Sequence, residues 1–276
     1  MSAPTVSPLA MVNLDHYPAL DLGSARAQQM LAQAREGLAA TGAVELAGFL
    51  TPEGVRALAD DAEALAPRAH RSSGLGTAYL EMPQLGLARE HPRRWVGPYS
   101  VRAVSYDLIP YKSPLRILYE WDRLADLIAA ILGRGPIYRY ADPFGALNLA
   151  VMAEGDQLQW HFDQADFVVS LAIQSAELGG DFEVAPLVRS PDDERYAVVR
   201  SVLEGDRARV VTLPMKPGTL LIFEGRHSLH RVSPIKGNQL RHVGLLAYDT
   251  KPGTVGSDLL RMDRYGRTEP FAEPPT

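Results

Sequence analysis

The sequence predicts an α+β protein that is mainly β: a sandwich of the jelly-roll kind with N-terminal helices packed on it. Three observations carry this. Past Gly135 the chain breaks into many short apolar runs of strand length, several of them separated by the turn signals Gly179-Gly180, Pro217-Gly218, Pro234 and Gly237. Before Gly133 the apolar residues recur instead at helical spacing. The 276 residues, 46% hydrophobic and 22% charged, suffice for one large core, and no repeat or long linker divides them. A single domain over 1–276 is therefore expected, with a helical part at about 20–134, a jelly-roll core at about 135–250 and a polar C-terminal tail.

Taken in order, residues 1–20 are rich in Pro, Ser and Ala and are expected to lie over the surface. Leu31, Ala34 and Leu38 recur at helical spacing from Ser24 to Ala40, and Gly42 supplies a stop. Ala43 to Leu50 reads as a first strand. Thr51 before Pro52 and Glu53 is an N-cap with proline at the first helical position, which predicts a helix to about Leu65. Pro67 to Pro98 mixes Gly, Pro, Arg and His without a sustained period and is expected to be a long irregular connection. Ser113-Pro114 opens one core helix ending near Gly133, its apolar face made by Leu115, Leu118, Trp121, Leu124, Leu127, Ile128 and Ile131.

Strands are predicted at Ile137–Tyr140, Ala146–Met152, Leu158–Asp163, Phe167–Gln174, Gly180–Val184, Arg209–Leu213, Leu220–Phe223, Ser228–Val232 and Arg241–Tyr248. The charged insertion Ser190–Arg207 interrupts them with a surface helix on Tyr196, Val199 and Val202. After Pro252 the chain is polar, and Glu269–Thr276, with its prolines, is expected to fray.

Composition narrows the chemistry. With no cysteine, disulfides, thiolate catalysis and thiolate-bound metal are out, so a metal must use His, Asp or Glu. A net charge of -5 argues against a broad nucleic-acid surface. The N-terminus lacks the basic start and apolar run of a secretory signal, and no apolar stretch approaches bilayer length, so a cytoplasmic protein without a membrane partner is expected.

One stretch carries the function. In Trp160-His161-Phe162-Asp163 the two polar residues are separated by one, so on a strand both point the same way. A second histidine follows the strand Leu220–Phe223 within Gly225-Arg226-His227-Ser228-Leu229-His230. His227 and His230, three apart, face opposite ways on an extended chain. His230 is preferred, because Val232 and Pro234 continue it as a core-facing strand and turn. Two imidazoles and one carboxylate form the facial triad that leaves further positions of an iron(II) ion open. His16, His70, His91 and His242 have no matching partner spacing. Arg241, at the start of the last strong strand, suits a carboxylate clamp held by two parallel hydrogen bonds.

His161-Phe162-Asp163, His230 and Arg241, in this order and on these strands, resemble the iron(II) and 2-oxoglutarate dependent oxygenases over about residues 40–250. Gly48-Phe49-Leu50-Thr51-Pro52-Glu53 also resembles that family's entry helix. The resemblance implies a double-stranded β-helix, the cupin-like form of jelly roll. It assigns iron to His161, Asp163 and His230, the distal carboxylate of 2-oxoglutarate to Arg241, and a further co-substrate contact to Asn148. O2 is the oxidant, and succinate and CO2 are released.

Within the superfamily, Trp160–Gln164 with Gly180-Asp181-Phe182-Glu183 is most similar to the stand-alone radical halogenases and hydroxylases of free amino acids, the lysine halogenases among them. In those halogenases a small residue replaces the carboxylate ligand and vacates a position for chloride. Asp163 is present, which implies hydroxylation of an unactivated C–H bond in a small amino acid or related amine-containing metabolite. Gln164 stands where that branch often has an acid for the substrate amine. Arg102, Tyr140, Asp142 and Gln164 are the candidate substrate contacts, with segments 67–98 and 190–207 as candidate covers of the barrel mouth. The alternatives are desaturation, cyclisation or halogenation with the same cofactors, a zinc hydrolase, or a non-redox jelly-roll protein that only binds metal.

Overall fold

A computed structural model describes residues 6–272. The helices are α1 (Pro8–Met11), α2 (Ala25–Thr41), α3 (Pro52–Leu65), α4 (Pro114–Glu120), α5 (Asp122–Leu132), α6 (Tyr196–Leu203) and α7 (Asp258–Tyr265). The strands are β1 (Ala43–Leu46), β2 (His70–Thr77), β3 (Val96–Val104), β4 (Tyr138–Arg139), β5 (Leu147–Met152), β6 (Leu158–His161), β7 (Val168–Gln174), β8 (Phe182–Ala185), β9 (Val211–Leu213), β10 (Leu220–Phe223), β11 (Leu229–Val232), β12 (Arg241–Leu246) and β13 (Tyr248–Asp249).

They form an antiparallel seven-stranded sheet in the order β1-β10-β7-β12-β5-β3-β2 and a four-stranded sheet in the order β6-β11-β8-β9, with a small β13-β4 pair beside them. Alternation along the strands decides what each face of the large sheet buries. Leu147, Leu149, Val151, Leu171 and Ile222 join the core made with α2 to α5. Ala150, Met152, Ala172, Phe223 and Val243 point the other way and pack with Phe182, Val184 and Val232 of the small sheet. The jelly roll and the N-terminal helical layer are thus as predicted, and the space between the sheets is where the site lies.

Local signals explain the helices. The Ser24 hydroxyl accepts from Ala27 N–H and Gly42 closes α2 at φ 65°, where a side chain is disfavoured. The Thr51 hydroxyl likewise accepts from Gly54 N–H at the start of α3.

Four expectations are corrected. Residues 8–20 do not simply lie over the surface: α1 brings Met11 and Val12 into the core, followed by Tyr17 and Ala19. The absence of a side chain at Gly54 permits this, since a Cβ there would sit 2.5 Å from the Met11 carbonyl oxygen. The helix expected over 113–133 is two helices, because Trp121 is extended at ψ 113°. Arg139 stabilises the break by donating to the carbonyls of Tyr119 and Glu120, each at 2.8 Å, and to Asp122 at 3.0 Å. Much of segment 67–98 is paired rather than irregular, forming β2 and the start of β3. β2 is an edge strand whose polar, glycine-containing sequence stays largely exposed, so it lacks the apolar alternation of a half-buried strand.

The polar tail also contains structure. Ser257 caps α7 by accepting from Leu260 N–H, and Gly266 ends it at φ 69°. Asp263 accepts from Tyr99 at 3.0 Å and from Ser72 at 3.3 Å, fastening α7 to β3 and β2. Of the expected fraying, residues 273–276 lie outside the described residues.

Candidate metal centre

His161 ends β6 and His230 lies directly opposite it on β11. Their rings are 4.3 Å apart between centroids. Asp163 follows just beyond β6, its N–H held by the Gly225 carbonyl at 3.0 Å. Gly225 is required there, since a Cβ would fall 2.2 Å from Asp163 Oδ2. One ligand atom from each of His161, Asp163 and His230 lies within 4.8 Å of the others. His161 Nε2 is 3.9 Å from Asp163 Oδ1, and His230 Nε2 is 3.2 Å from Oδ2. His227, half-buried, is not in this group.

The orientation of the rings is fixed from behind. His161 Nδ1 lies 2.8 Å from the Gln159 carbonyl and His230 Nδ1 2.9 Å from that of Ser228. A carbonyl only accepts, so each Nδ1 carries a proton and each Nε2 is turned toward the carboxylate. Burial, then the neighbouring His230, pull His161 down to about 4. Burial pushes Asp163 up, but the two histidines outweigh it and hold the carboxyl at about 2. Burial pushes His230 down, but Asp163 and the Ser228 carbonyl together outweigh it and raise the ring. Two Nε2 atoms and a carboxylate converging in a buried place form a site where a metal cation can take the place of the proton, and this donor set suits iron(II).

Arg241 is 7% exposed and buried on the inner face beside Met152, whose Sδ is 3.7 Å from its Nη1. Burial pulls it down to about 10, and no carboxylate of the described residues forms an ion pair with it. A buried guanidinium without a counter-ion is costly, and an entering carboxylate relieves the cost. The residues present therefore fit both an iron ion and a dicarboxylate such as 2-oxoglutarate.

At the ends of β5, β7 and β12 is a cavity of about 230 Å³, which none of His161, Asp163, His230 and Arg241 lines. Tyr140, Asp142 and Asn148 line it, as do Phe167 and Val168. Asn148 accepts from the Tyr265 hydroxyl and donates to the Phe144 carbonyl at 3.3 Å. Asp142 is saturated by the N–H groups of Phe144, Gly145 and Gly256 and by Arg261, which hold it below the usual carboxylate range against the effect of burial.

Two expected contacts do not line this cavity. Gln164 is exposed and outside the lining, with only its carbonyl engaged, by Arg226. Arg102 is committed to buried Asp156 and does not line the cavity. Nor do residues of segments 67–98 and 190–207 line this cavity. Through Arg93, which donates to Tyr196 at 2.9 Å and Glu194 at 3.1 Å, they meet each other over Trp160 and Phe162 on the outer face of the small sheet.

The cavity is lined instead by α7, through Leu260, Arg261, Arg264 and Tyr265. Sequence reasoning missed all four, although the Ser257 cap, the Gly266 stop and the spacing of Arg261, Arg264 and Tyr265 were there to be used.

Residues 26–255 match the sequence model of a family described as Halogenase D. No curated protein matches the sequence. AviO1 from Streptomyces viridochromogenes Tue57 is 22% identical over 80% of this chain and 96% of its own, with a TM-score of 0.56. The epimerase SnoN from nogalamycin biosynthesis, in complex with Fe3+, alpha ketoglutarate and nogalamycin RO, is 17% identical over 90% of this chain and 96% of its own, at 0.57. A 2OG-Fe(II) oxygenase family oxidoreductase from Burkholderia pseudomallei is 15% identical over 81% and 92%, at 0.51. These are likenesses of fold.

Proposed function

The chain belongs to the Halogenase D family, and from that premise we propose that it is an iron(II)- and 2-oxoglutarate-dependent oxygenase. It hydroxylates an unactivated C–H bond of a small free amino acid or related amine-containing metabolite. His161, Asp163 and His230 hold the iron. Arg241 binds the far carboxylate of 2-oxoglutarate. Bound iron and oxoacid together supply the oxidising chemistry, in which O2 gives one oxygen atom to succinate and the other to the product, with loss of CO2.

The chain's own residues do the rest. The Gln159 and Ser228 carbonyls keep both Nε2 atoms aimed at the ion, and Arg241 fixes the orientation of the oxoacid. The closely packed inner face around Met152, Phe223 and Val243 limits water near them. The cavity lined by α7 positions one C–H bond, which decides regiochemistry.

The observation that carries hydroxylation over chlorination is Asp163. It occupies the third ligand position, and the family resemblance reserves chlorination for chains with a small residue there. The family's description favours the second reading, a halogenation, and the same site admits desaturation or cyclisation. Anaerobic addition of iron(II) and 2-oxoglutarate is expected to produce a weak visible charge-transfer band, and its absence refutes the oxygenase. With chloride present, the product is expected to gain one oxygen and no chlorine by mass spectrometry. Asp163→Gly is expected to abolish hydroxylation, so full activity in that variant removes the carboxylate from the ligand set.

A further inference from the structure

We infer, resting on the oxygenase reading above, that Arg264 binds a carboxylate of the substrate, so that the cavity lined by α7 selects small organic acids with an apolar body. On α7, Arg261, Arg264 and Tyr265 share one face, and all three line the cavity. Two are committed: Arg261 donates to Asp142 and to Asp258, each at 3.0 Å, and Tyr265 donates to Asn148. Just beyond the helix, Arg267 is likewise committed to Asp107 at 2.7 Å. Arg264 makes no hydrogen bond or ion pair with any described residue.

The charged side chains of the lining are Asp142, Arg261 and Arg264. Asp142 and Arg261 neutralise each other, which leaves one uncommitted charge, a guanidinium. Such a group at a cavity wall recognises a planar anion through two parallel hydrogen bonds. It is also distinct from Arg241, which is buried between the sheets and does not line this cavity. Two separate guanidiniums imply two anions, the oxoacid at Arg241 and the substrate at Arg264.

Position and size agree with this. Ala165, two residues past Asp163, lines the same cavity as Arg264, so a group held by Arg264 lies near the reacting centre. A cavity of about 230 Å³ suits a molecule of amino-acid size. With the carboxylate held at Arg264, the remainder of the substrate lies against Phe167, Val168 and Leu245.

Calorimetry tests the inference on the full chain, with iron(II) and 2-oxoglutarate added under argon, using a panel of free amino acids and their primary carboxamides. At least one acid is expected to bind, its carboxamide about 30-fold more weakly. Arg264→Gln is expected to weaken the acid by about the same factor and leave the carboxamide unaffected, while Arg264→Lys restores part of the loss. Carboxamides that bind as well as the acids, a panel in which no acid binds, or an Arg264→Gln chain that retains wild-type affinity for the acid would each overturn the assignment. Since binding is read directly, a missing charge-transfer band with acid selectivity intact refutes the oxygenase reading and not the role of Arg264.

Discussion

At the residue scale the site depends on which atoms are tied down. Both histidines of the proposed triad surrender Nδ1 to a backbone carbonyl two residues earlier in the chain, so their Nε2 atoms are committed before any ion arrives. His161→Ala or His230→Ala is therefore expected to abolish iron-dependent succinate formation, whereas His227→Ala keeps most of it. Succinate assays of the three variants decide the matter, and the reverse pattern exchanges the roles of His227 and His230. The spacing His161-x-Asp163 on a strand and the preference for His230 over His227 were legible because a strand's alternation of faces is simple geometry. The substrate contacts were less so. Gln164 and Arg102 stand near site strands in sequence, but exposure takes the first out of the cavity and buried Asp156 takes the second.

Among the elements, most that sequence reasoning identified bury an apolar face, whereas β2 and α7, which it missed, bury little. The core strands β5, β7 and β10 and the helices α2 and α3 announce themselves through apolar periodicity and caps. β2 is an exposed edge strand, and α7 contains no buried residue, being held by polar side chains, so neither produces such a pattern. The division between α4 and α5 was hidden for a different reason: its cause, Arg139, lies outside both helices on β4. Arg139→Ala leaves the Tyr119 and Glu120 carbonyls without these donors and is expected to cost about 1–2 kcal/mol of stability, read from the midpoint of urea unfolding. An unchanged midpoint means that the break is fixed by other packing.

Across the whole molecule, the N-terminal helices and the large sheet share one core, whereas the C-terminal segment is attached by charge. Burial pushes Asp107 up, but Arg267, Ser105 and the Phe271 N–H outweigh it, and Asp142 is lowered in a comparable way. Both folded-state values lie below the ordinary 3.8, so the stability they contribute is complete above that pH and is lost as pH falls through the lower, folded values. Acidification below about pH 4 is expected to release residues beyond Pro252 before the β core unfolds, giving early cleavage of that segment by pepsin. Simultaneous loss of segment and core contradicts this attachment. The lining of the cavity by α7 also has a practical consequence. The residues proposed to hold iron and oxoacid all precede it in the chain, so on the proposed function a clipped terminus or a bulky C-terminal fusion would leave an oxidant able to waste oxoacid yet unable to choose its target, and exchanging this short tail between relatives is a direct way to redirect it.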